Sequence, residues 1–158
     1  MFEGLVNLLS SHRAGPQKTL PPLMREVRFS DDGIAQWAGM GDHRLISADG
    51  RHQLEVEYVS EPPHGDSVHR VIVDGRVLPG YAWGCMFAIS PCSRYAAFSW
   101  MATMYERRTI VVDMSDAKYA LLPEYIYDFV FRWPKLNGIN GGREKSYSFD
   151  GSESWHPY

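Results

Sequence analysis

The sequence has few cysteines, no long apolar run and no excess of basic residues. Its two cysteines, Cys85 and Cys92, form no CxxC pair and have no histidine at metal-ligand spacing, so neither a disulfide framework nor a metal site is predicted. A transmembrane helix needs about eighteen or more consecutive apolar residues, and no such run occurs. The formal net charge of −3 argues against a nucleic-acid-binding surface, which is usually basic.

Short motifs that predict catalysis or cofactor binding are also missing. A serine nucleophile on a GxSxG elbow is not present. The glycine-rich stretch NGINGGREK (137–145) lacks the GK[ST] ending of a phosphate-binding loop and is predicted to form a hairpin or connector. We therefore predict no catalytic residues and no cofactor, and these absences favour a protein that is not an enzyme over one that is.

The first 22 residues differ in pattern from the rest of the chain. Leucines recur at helical spacing between Phe2 and Leu9, which predicts one short N-terminal helix. The polar stretch that follows ends in Pro21-Pro22 and is predicted to be a linker. Because this N-terminus has an acid at Glu3 and only a short apolar stretch, it is unlike a secretory signal, and we expect a cytoplasmic protein.

Residues 23–158 read as a series of short β-type runs separated by Gly, Pro, Asp and Ser. With 44% hydrophobic, 22% charged and 13% aromatic residues, the composition is that of a soluble globular protein with a leaning towards β structure. The length of 158 residues predicts a single domain, 1–158. We expect a mainly β fold of antiparallel meander sheets, with the last segment, Ser146–Tyr158, adding an edge strand.

Two stretches of the chain are similar to each other. ISADGRHQLEVEY begins at Ile46 and ISPCSRYAAFSW begins at Ile89, so that their serines are 43 residues apart. A second anchor follows each stretch, since VIVDG ends an apolar run with Asp74 and IVVDM does so with Asp113, 39 residues later. Two anchors in the same order predict two copies of a unit of about 40 residues, at about 46–88 and 89–131.

The phrase ISPCSRYAAFSW followed by RRTIVVDM resembles a blade of a WD-repeat or TolB-type β-propeller. Such blades contain an SPDG turn, a basic residue, an apolar strand and a strand ending in Val-Asp or Trp-Asp. Here Cys92 and Ser93 stand where the family pattern has Asp and Gly, and Ser47–Gly50 lacks the proline. The resemblance covers about residues 24–131. Since closed propellers have at least about four blades, it implies either an open, propeller-like stack or two sheets packed as a sandwich.

Four acidic residues lie within a stretch that contains no Lys or Arg: Glu55, Glu57, Glu61 and Asp66. On a strand Glu55 and Glu57 project to the same face, which predicts a negative surface patch if that face is exposed. The alternative is an ordinary solvated strand face without a binding role.

The stretch PEYIYDFVFRW (123–133) places a row of aromatic residues on one strand face. Such a row is typical of a core, but aromatic side chains beside acids are also typical of binding surfaces. The candidate partner-binding residues from this stretch are Tyr125, Tyr127, Asp128 and Trp133, in addition to the four acids.

Three functions remain open from the sequence. The first is a non-catalytic cytoplasmic protein that inhibits or sequesters a protein partner, most specifically an immunity protein that neutralises a bacterial toxin. The second is a carboxylate-dependent hydrolase or carbohydrate-binding domain that uses Glu57 with Asp66 or Asp128. The third is a β-repeat scaffold module that oligomerises. We rank them in this order, with a protein as the expected partner and neither nucleic acid nor membrane.

Overall fold

A computed structural model describes residues 24–158. The predicted N-terminal helix and linker, residues 1–22, lie outside this part. The described part is mainly β, as predicted, and most strand pairs are antiparallel. Its strands are β1 (Arg25–Arg28), β2 (Gln36–Trp37), β3 (His43–Ile46), β4 (Gln53–Ser60), β5 (Val68–Val73), β6 (Arg76–Val77), β7 (Tyr81–Ile89), β8 (Tyr95–Met101), β9 (Arg108–Asp113), β10 (Lys118–Leu121), β11 (Phe129–Arg132), β12 (Lys135–Gly138), β13 (Ser146–Ser148) and β14 (His156–Pro157).

The strands form one large and one small sheet. The order in the large sheet is β1-β3-β4-β5-β7-β8-β9-β10-β14, with β6 also paired to β5 and β2 also paired to β7. The small sheet has the order β11-β12-β13, and a 3₁₀ turn at Asn140–Gly142 connects its last two strands. β1 and β3 pair in parallel, and the other pairs are antiparallel. The predicted edge strand at the end of the chain is confirmed, because β14 is the outermost strand beside β10.

The two similar stretches form the same local structure. β3–β6 and β7–β10 are two successive four-stranded meanders, each with a serine turn between its first two strands. In both turns the amide of Ser47 or Ser90 donates to the carbonyl five residues later, and the serine hydroxyl accepts from the amide of that residue. The fourth turn residue has a positive φ in both copies, +75° at Gly50 and +61° at Ser93. The sequence similarity therefore extends to backbone conformation and hydrogen bonding.

β7 changes its neighbour half-way along its length. Its first half pairs with β5, where Val68 is opposite Trp83, and its second half pairs with β2, where Trp37 is opposite Met86. At the junction Gly84 has φ +77°, a conformation that favours glycine. The Gly84 amide donates to the Ser67 carbonyl at 2.7 Å. This bend leaves a gap between β5 and β2 on the same edge of β7.

Two buried clusters hold the sheets together. The first contains residues of both meanders, including Leu54, Val71, Phe87 and Phe98. The second packs the opposite face of β7–β10 against the small sheet and includes Phe129 and Phe131, Leu136 and Phe149. All seven residues of β8 are buried, because this strand contributes side chains to both clusters.

The aromatic strand predicted from Tyr125 onward begins later, since β11 starts at Phe129. The reason is a side chain from β9. The buried Thr109 hydroxyl donates to the Ile126 carbonyl at 2.8 Å and accepts from the Ile126 amide at 2.7 Å. Both backbone groups of Ile126 are thus satisfied without a strand partner. Phe129 and Phe131 lie in the core, whereas Tyr125 and Tyr127 lie outside the strand.

Candidate functional site

A cleft of about 440 Å³ opens at the bend of β7, and we name it the acidic–aromatic cleft. The loop between β4 and β5, the loop between β8 and β9, and the segment before β11 surround it. Its lining residues are Trp37, Met40, Glu61, Gly65, Asp66, Ser67, Trp83, Gly84, Cys85, Met86, Ser99, Arg107, Tyr125 and Tyr127. It therefore contains four of the eight predicted binding residues.

The acidic side of the cleft is formed by Glu61 and Asp66, both exposed on the loop between β4 and β5. Within residues 24–158 neither carboxylate has a Lys, Arg or His nitrogen within 4.0 Å. Asp66 lies beside the bend, since a Cβ placed on Gly84 would contact it at 3.6 Å. Two carboxylates without a counter-ion give this part of the cleft a negative potential.

The aromatic side of the cleft combines a buried and several exposed rings. Trp83 is buried, and the ring of Tyr105 approaches it edge-on with the centroids 5.7 Å apart. The guanidinium of Arg107 lies over the Trp83 ring, 4.7 Å from its centroid. Trp37 and Tyr127 are 62% and 48% exposed, which is unusual for such large apolar side chains. The cleft already holds one cation against an aromatic face and leaves two rings uncovered.

Small polar groups form the floor of the cleft. The Ser67 hydroxyl and the Cys85 thiol are 3.1 Å apart, and burial raises the pKa of the thiol. A thiol with a raised pKa is a poor nucleophile, because the thiolate is the reactive form. The Ser99 and Tyr125 hydroxyls are 2.9 Å apart, and this contact fixes the Tyr125 ring in the wall. Cys85 and Cys92 are both unpaired by disulfides.

Glu55 and Glu57 do not line the cleft. They lie on β4, and the neighbouring strands place basic side chains beside them. Arg44 of β3 is 3.7 Å from Glu55, and Arg70 of β5 is 4.0 Å from Glu57. The neighbouring strands therefore place arginines beside the first half of this acidic stretch. Among residues 24–158, its second half has no ion pair.

Asp128 and Trp133 also lie away from the cleft. Asp128 accepts a hydrogen bond from the Asn140 side chain at 2.8 Å. Trp133 stacks on Tyr95 with the ring centroids 3.8 Å apart and packs against Phe149. Trp133 therefore packs against the second buried cluster. Neither Glu57 nor Asp128 joins Asp66 in the cleft, so the carboxylate pairs of the hydrolase hypothesis are not brought together there.

The other half of the cleft was not predicted from the sequence, and it includes Trp37, Trp83 and Arg107. These residues come from β2, β7 and the end of the loop before β9, and only the bend at Gly84 brings them near Asp66. The one available signal was Gly84 itself, because a glycine inside an apolar strand run indicates a bulge or a close backbone approach.

Comparison with known proteins finds no matching family model, no similar curated protein and no similar solved structure. The part of the chain from residue 24 onward contains no helix that is long and apolar enough to cross a membrane. In the same part, no three His, Cys, Asp or Glu side chains group as ligands for a metal ion.

Proposed function

We propose that this chain is a protein-binding domain whose partner inserts a basic side chain into the acidic–aromatic cleft. The observation that carries the proposal is the position of Arg107, whose guanidinium lies over Trp83 in the same cleft as Glu61 and Asp66. Neither carboxylate forms an ion pair with any residue from 24 to 158. The cleft therefore has both chemical elements that bind an organic cation, an aromatic face and carboxylate oxygens.

The energies of these contacts suit a specific protein interface. A cation over an aromatic ring contributes about 0.5–1 kcal/mol when exposed and about 2 kcal/mol when water is excluded. Hydrogen bonds from a charged donor add about 1.5–3 kcal/mol each. Trp, Tyr and Arg are also the residue types that dominate binding energy in protein interfaces. Closure of a partner over the exposed Trp37 and Tyr127 would supply the exclusion of water.

The more specific form of the proposal is an immunity protein that neutralises a toxin in the cytoplasm. A toxin that acts on nucleic acid carries a basic surface for its substrate. An acidic cleft that receives an arginine or lysine from that surface would compete with the phosphates. Supporting features are the exposed Glu61 and Asp66, which have no ion pair in the described part of the chain, and the net charge of −3.

The test uses a defined probe, a short peptide with one arginine, and a matched peptide in which citrulline replaces the arginine. Citrulline keeps the shape of the side chain but removes its charge. We expect the arginine peptide to shift the indole NH signals of Trp37 and Trp83 in a ¹⁵N NMR titration. The Glu61→Gln/Asp66→Asn double variant should weaken this binding at least tenfold, since two charge-assisted contacts are lost.

The matched control is the Glu55→Gln/Glu57→Gln variant, which removes the same number of charges outside the cleft. This variant should bind the arginine peptide as tightly as the unchanged protein. Equal shifts with the citrulline peptide, or equal weakening in both double variants, would contradict the proposal. A captured natural partner can then be compared across the same two variants.

We also infer that the two meanders are copies of one unit of the propeller-blade type. The support is the identical hydrogen-bond pattern of the Ser47 and Ser90 turns, together with the positive φ at Gly50 and Ser93. The two copies are hydrogen-bonded to each other through β5 and β7 as parts of one sheet.

A further inference from the structure

Three side chains from separate turns meet at the end of the large sheet. Asp74 follows β5, His52 precedes β4, and Ser115 lies in the turn between β9 and β10. The Asp74 Oδ2 is 2.6 Å from His52 Nδ1, and His52 Nε2 is 3.3 Å from Ser115 Oγ. The chain thus places a carboxylate, an imidazole and a hydroxyl in line, in the order of a serine hydrolase triad.

A further contact fixes the orientation of the Asp74 carboxylate and, through it, the tautomer of His52. The second oxygen of Asp74 accepts from the Gln53 amide at 2.9 Å, so the carboxylate cannot turn away from the imidazole. Because a carboxylate accepts hydrogen bonds, the proton of neutral His52 belongs on Nδ1. Nε2 then has its lone pair towards the Ser115 hydroxyl, which is the tautomer that a general base needs.

A cavity of about 260 Å³ adjoins the serine. Ser115, Asp74, Arg76 and Tyr158 are among its lining residues. Ser115 is exposed, whereas the His52 side chain is only 15% exposed, so that the nucleophile is accessible and the base is shielded. This cavity shares no lining residue with the acidic–aromatic cleft.

We propose that Ser115 and His52 are the catalytic residues of an esterase site for small carboxylic esters, with Asp74 as the positioning residue. The cavity has room for a short acyl group, and Arg76 provides a positive charge for the oxyanion. This activity goes beyond partner binding and does not depend on it.

The reaction consists of two balanced acyl transfers. Ser115 Oγ attacks the ester carbonyl carbon while its proton passes to His52 Nε2. The C–O bond to the alcohol then breaks, and the alcohol leaves with that proton. A water molecule attacks the acyl-serine, gives its proton to His52 Nε2, and the serine leaves with the proton as the carboxylic acid is released.

The first experiment treats the protein with a fluorophosphonate probe and maps the labelled residue by mass spectrometry. We expect one labelled serine, Ser115, and no label in the Ser115→Ala variant. Ser152→Ala is the matched control, because Ser152 is an exposed serine that bonds to Asp150 rather than to a histidine. Absence of label on the unchanged protein, or label on another serine, would overturn the proposal whether or not any variant folds.

The second experiment measures p-nitrophenyl acetate hydrolysis. His52→Gln should lower kcat about a hundredfold or more, as expected for the loss of a general base. Asp74→Asn should lower kcat with little change in KM, whereas a purely structural contact would change thermal unfolding and leave kcat per folded molecule unaltered. Equal kcat in His52→Gln and the unchanged protein would overturn the proposal. The Glu55→Gln/Glu57→Gln variant should keep full esterase activity, because both residues lie outside the cleft and outside the esterase cavity. Esterase activity and peptide binding are measured separately, so the failure of one proposal is distinguishable from the failure of the other.

Discussion

A reciprocal exchange between the two serine turns tests whether they are equivalent in energy as well as in shape. In the first turn the Asp49 carboxylate accepts from the Arg51 amide at 2.9 Å, the Arg51 Nε at 2.7 Å and the Ser47 hydroxyl at 2.8 Å. In the second turn Cys92 takes the place of this aspartate, and its thiol lies 3.2 Å from the Ser90 hydroxyl. We therefore predict that Asp49→Cys destabilises the fold and that Cys92→Asp stabilises it.

The two changes should differ in size. Asp49→Cys removes three acceptor contacts of an exposed carboxylate, and an aspartate that satisfies turn or cap amides typically contributes about 1 kcal/mol, within a range of about 0.5–2 kcal/mol. Cys92→Asp can gain the Ser90 hydroxyl and the Arg94 amide. It cannot gain the Arg94 guanidinium, which donates to Asp113 at 2.9 and 2.8 Å. We expect a gain of about half the size of the loss, roughly 0.5 kcal/mol.

Urea unfolding at pH 7 measures both free energies, with Cys92→Ser as the control for loss of the thiol. The same donors, the Arg51 amide first, hold the pKa of Asp49 well below its ordinary value of 3.8. A lowered pKa means that the carboxylate stabilises the fold above pH 3.8, and this stabilisation is lost as the pH falls below that value. The loss of unfolding free energy caused by Asp49→Cys should therefore be smaller at acidic pH than at pH 7. Two changes of the same sign would refute the equivalence of the turns.

Two further predictions concern the buried parts of the fold. Burial lowers the pKa of His69, so the fold should lose stability as the pH falls below about 6.5, and His69→Leu should flatten the urea-derived stability between pH 5 and 7. An unchanged slope would contradict this. Gly80 has φ +72°, and an added Cβ would lie 2.4 Å from the Trp100 indole. Gly80→Ala should therefore lower the free energy of unfolding by about 2–4 kcal/mol, as measured by thermal unfolding. Gly75→Ala is the control, since φ is +82° there but no atom lies within 4 Å, and an equal loss in both would refute the steric argument.

The strands were predictable where turn residues bound an apolar run. The runs VHRVIV and YAWGCMFAI coincide with β5 and β7. The Gly, Pro, Asp and Ser residues on each side of them favour turns and therefore end the strands. The start of β11 was not predictable, since the hydroxyl of Thr109 takes both backbone groups of Ile126. No local pattern around residue 126 contains information about a side chain on a different strand.

The candidate site was predictable only in part, for a similar reason. Glu61 and Asp66 lie on a loop, where few neighbours can neutralise them, and both line the acidic–aromatic cleft. Glu55 lies on a strand, where the residue opposite decides its charge environment, and Arg44 occupies that position. A charge pattern read along one strand therefore predicts an exposed patch only when the neighbouring strands are known.

The absence of a GxSxG elbow does not bear on the proposed Ser115 site, since that motif describes one local turn. The contacts among His52, Asp74 and Ser115 form only when the turns of three hairpins, β3–β4, β5–β6 and β9–β10, lie side by side. A triad assembled from distant turns has no local motif, because its geometry and not its sequence order defines it.

The two similar meanders differ in how each holds its matching aspartate. Asp74 and Asp113 are the matching aspartates of the two copies, but their partners differ. Asp113 is 1% exposed. Burial acts to raise its pKa, but the hydrogen bonds from Arg94 and the Asp116 amide, together with the charges of Arg94 and Lys118, lower it overall. A buried carboxylate held by a guanidinium on both oxygens is committed to the fold. Asp74 is 34% exposed in its side chain, and its Oδ1 accepts from the Gln53 amide while its Oδ2 contacts His52 Nδ1. One copy thus has an aspartate anchored by an ion pair, and the other has the aspartate of the proposed esterase site.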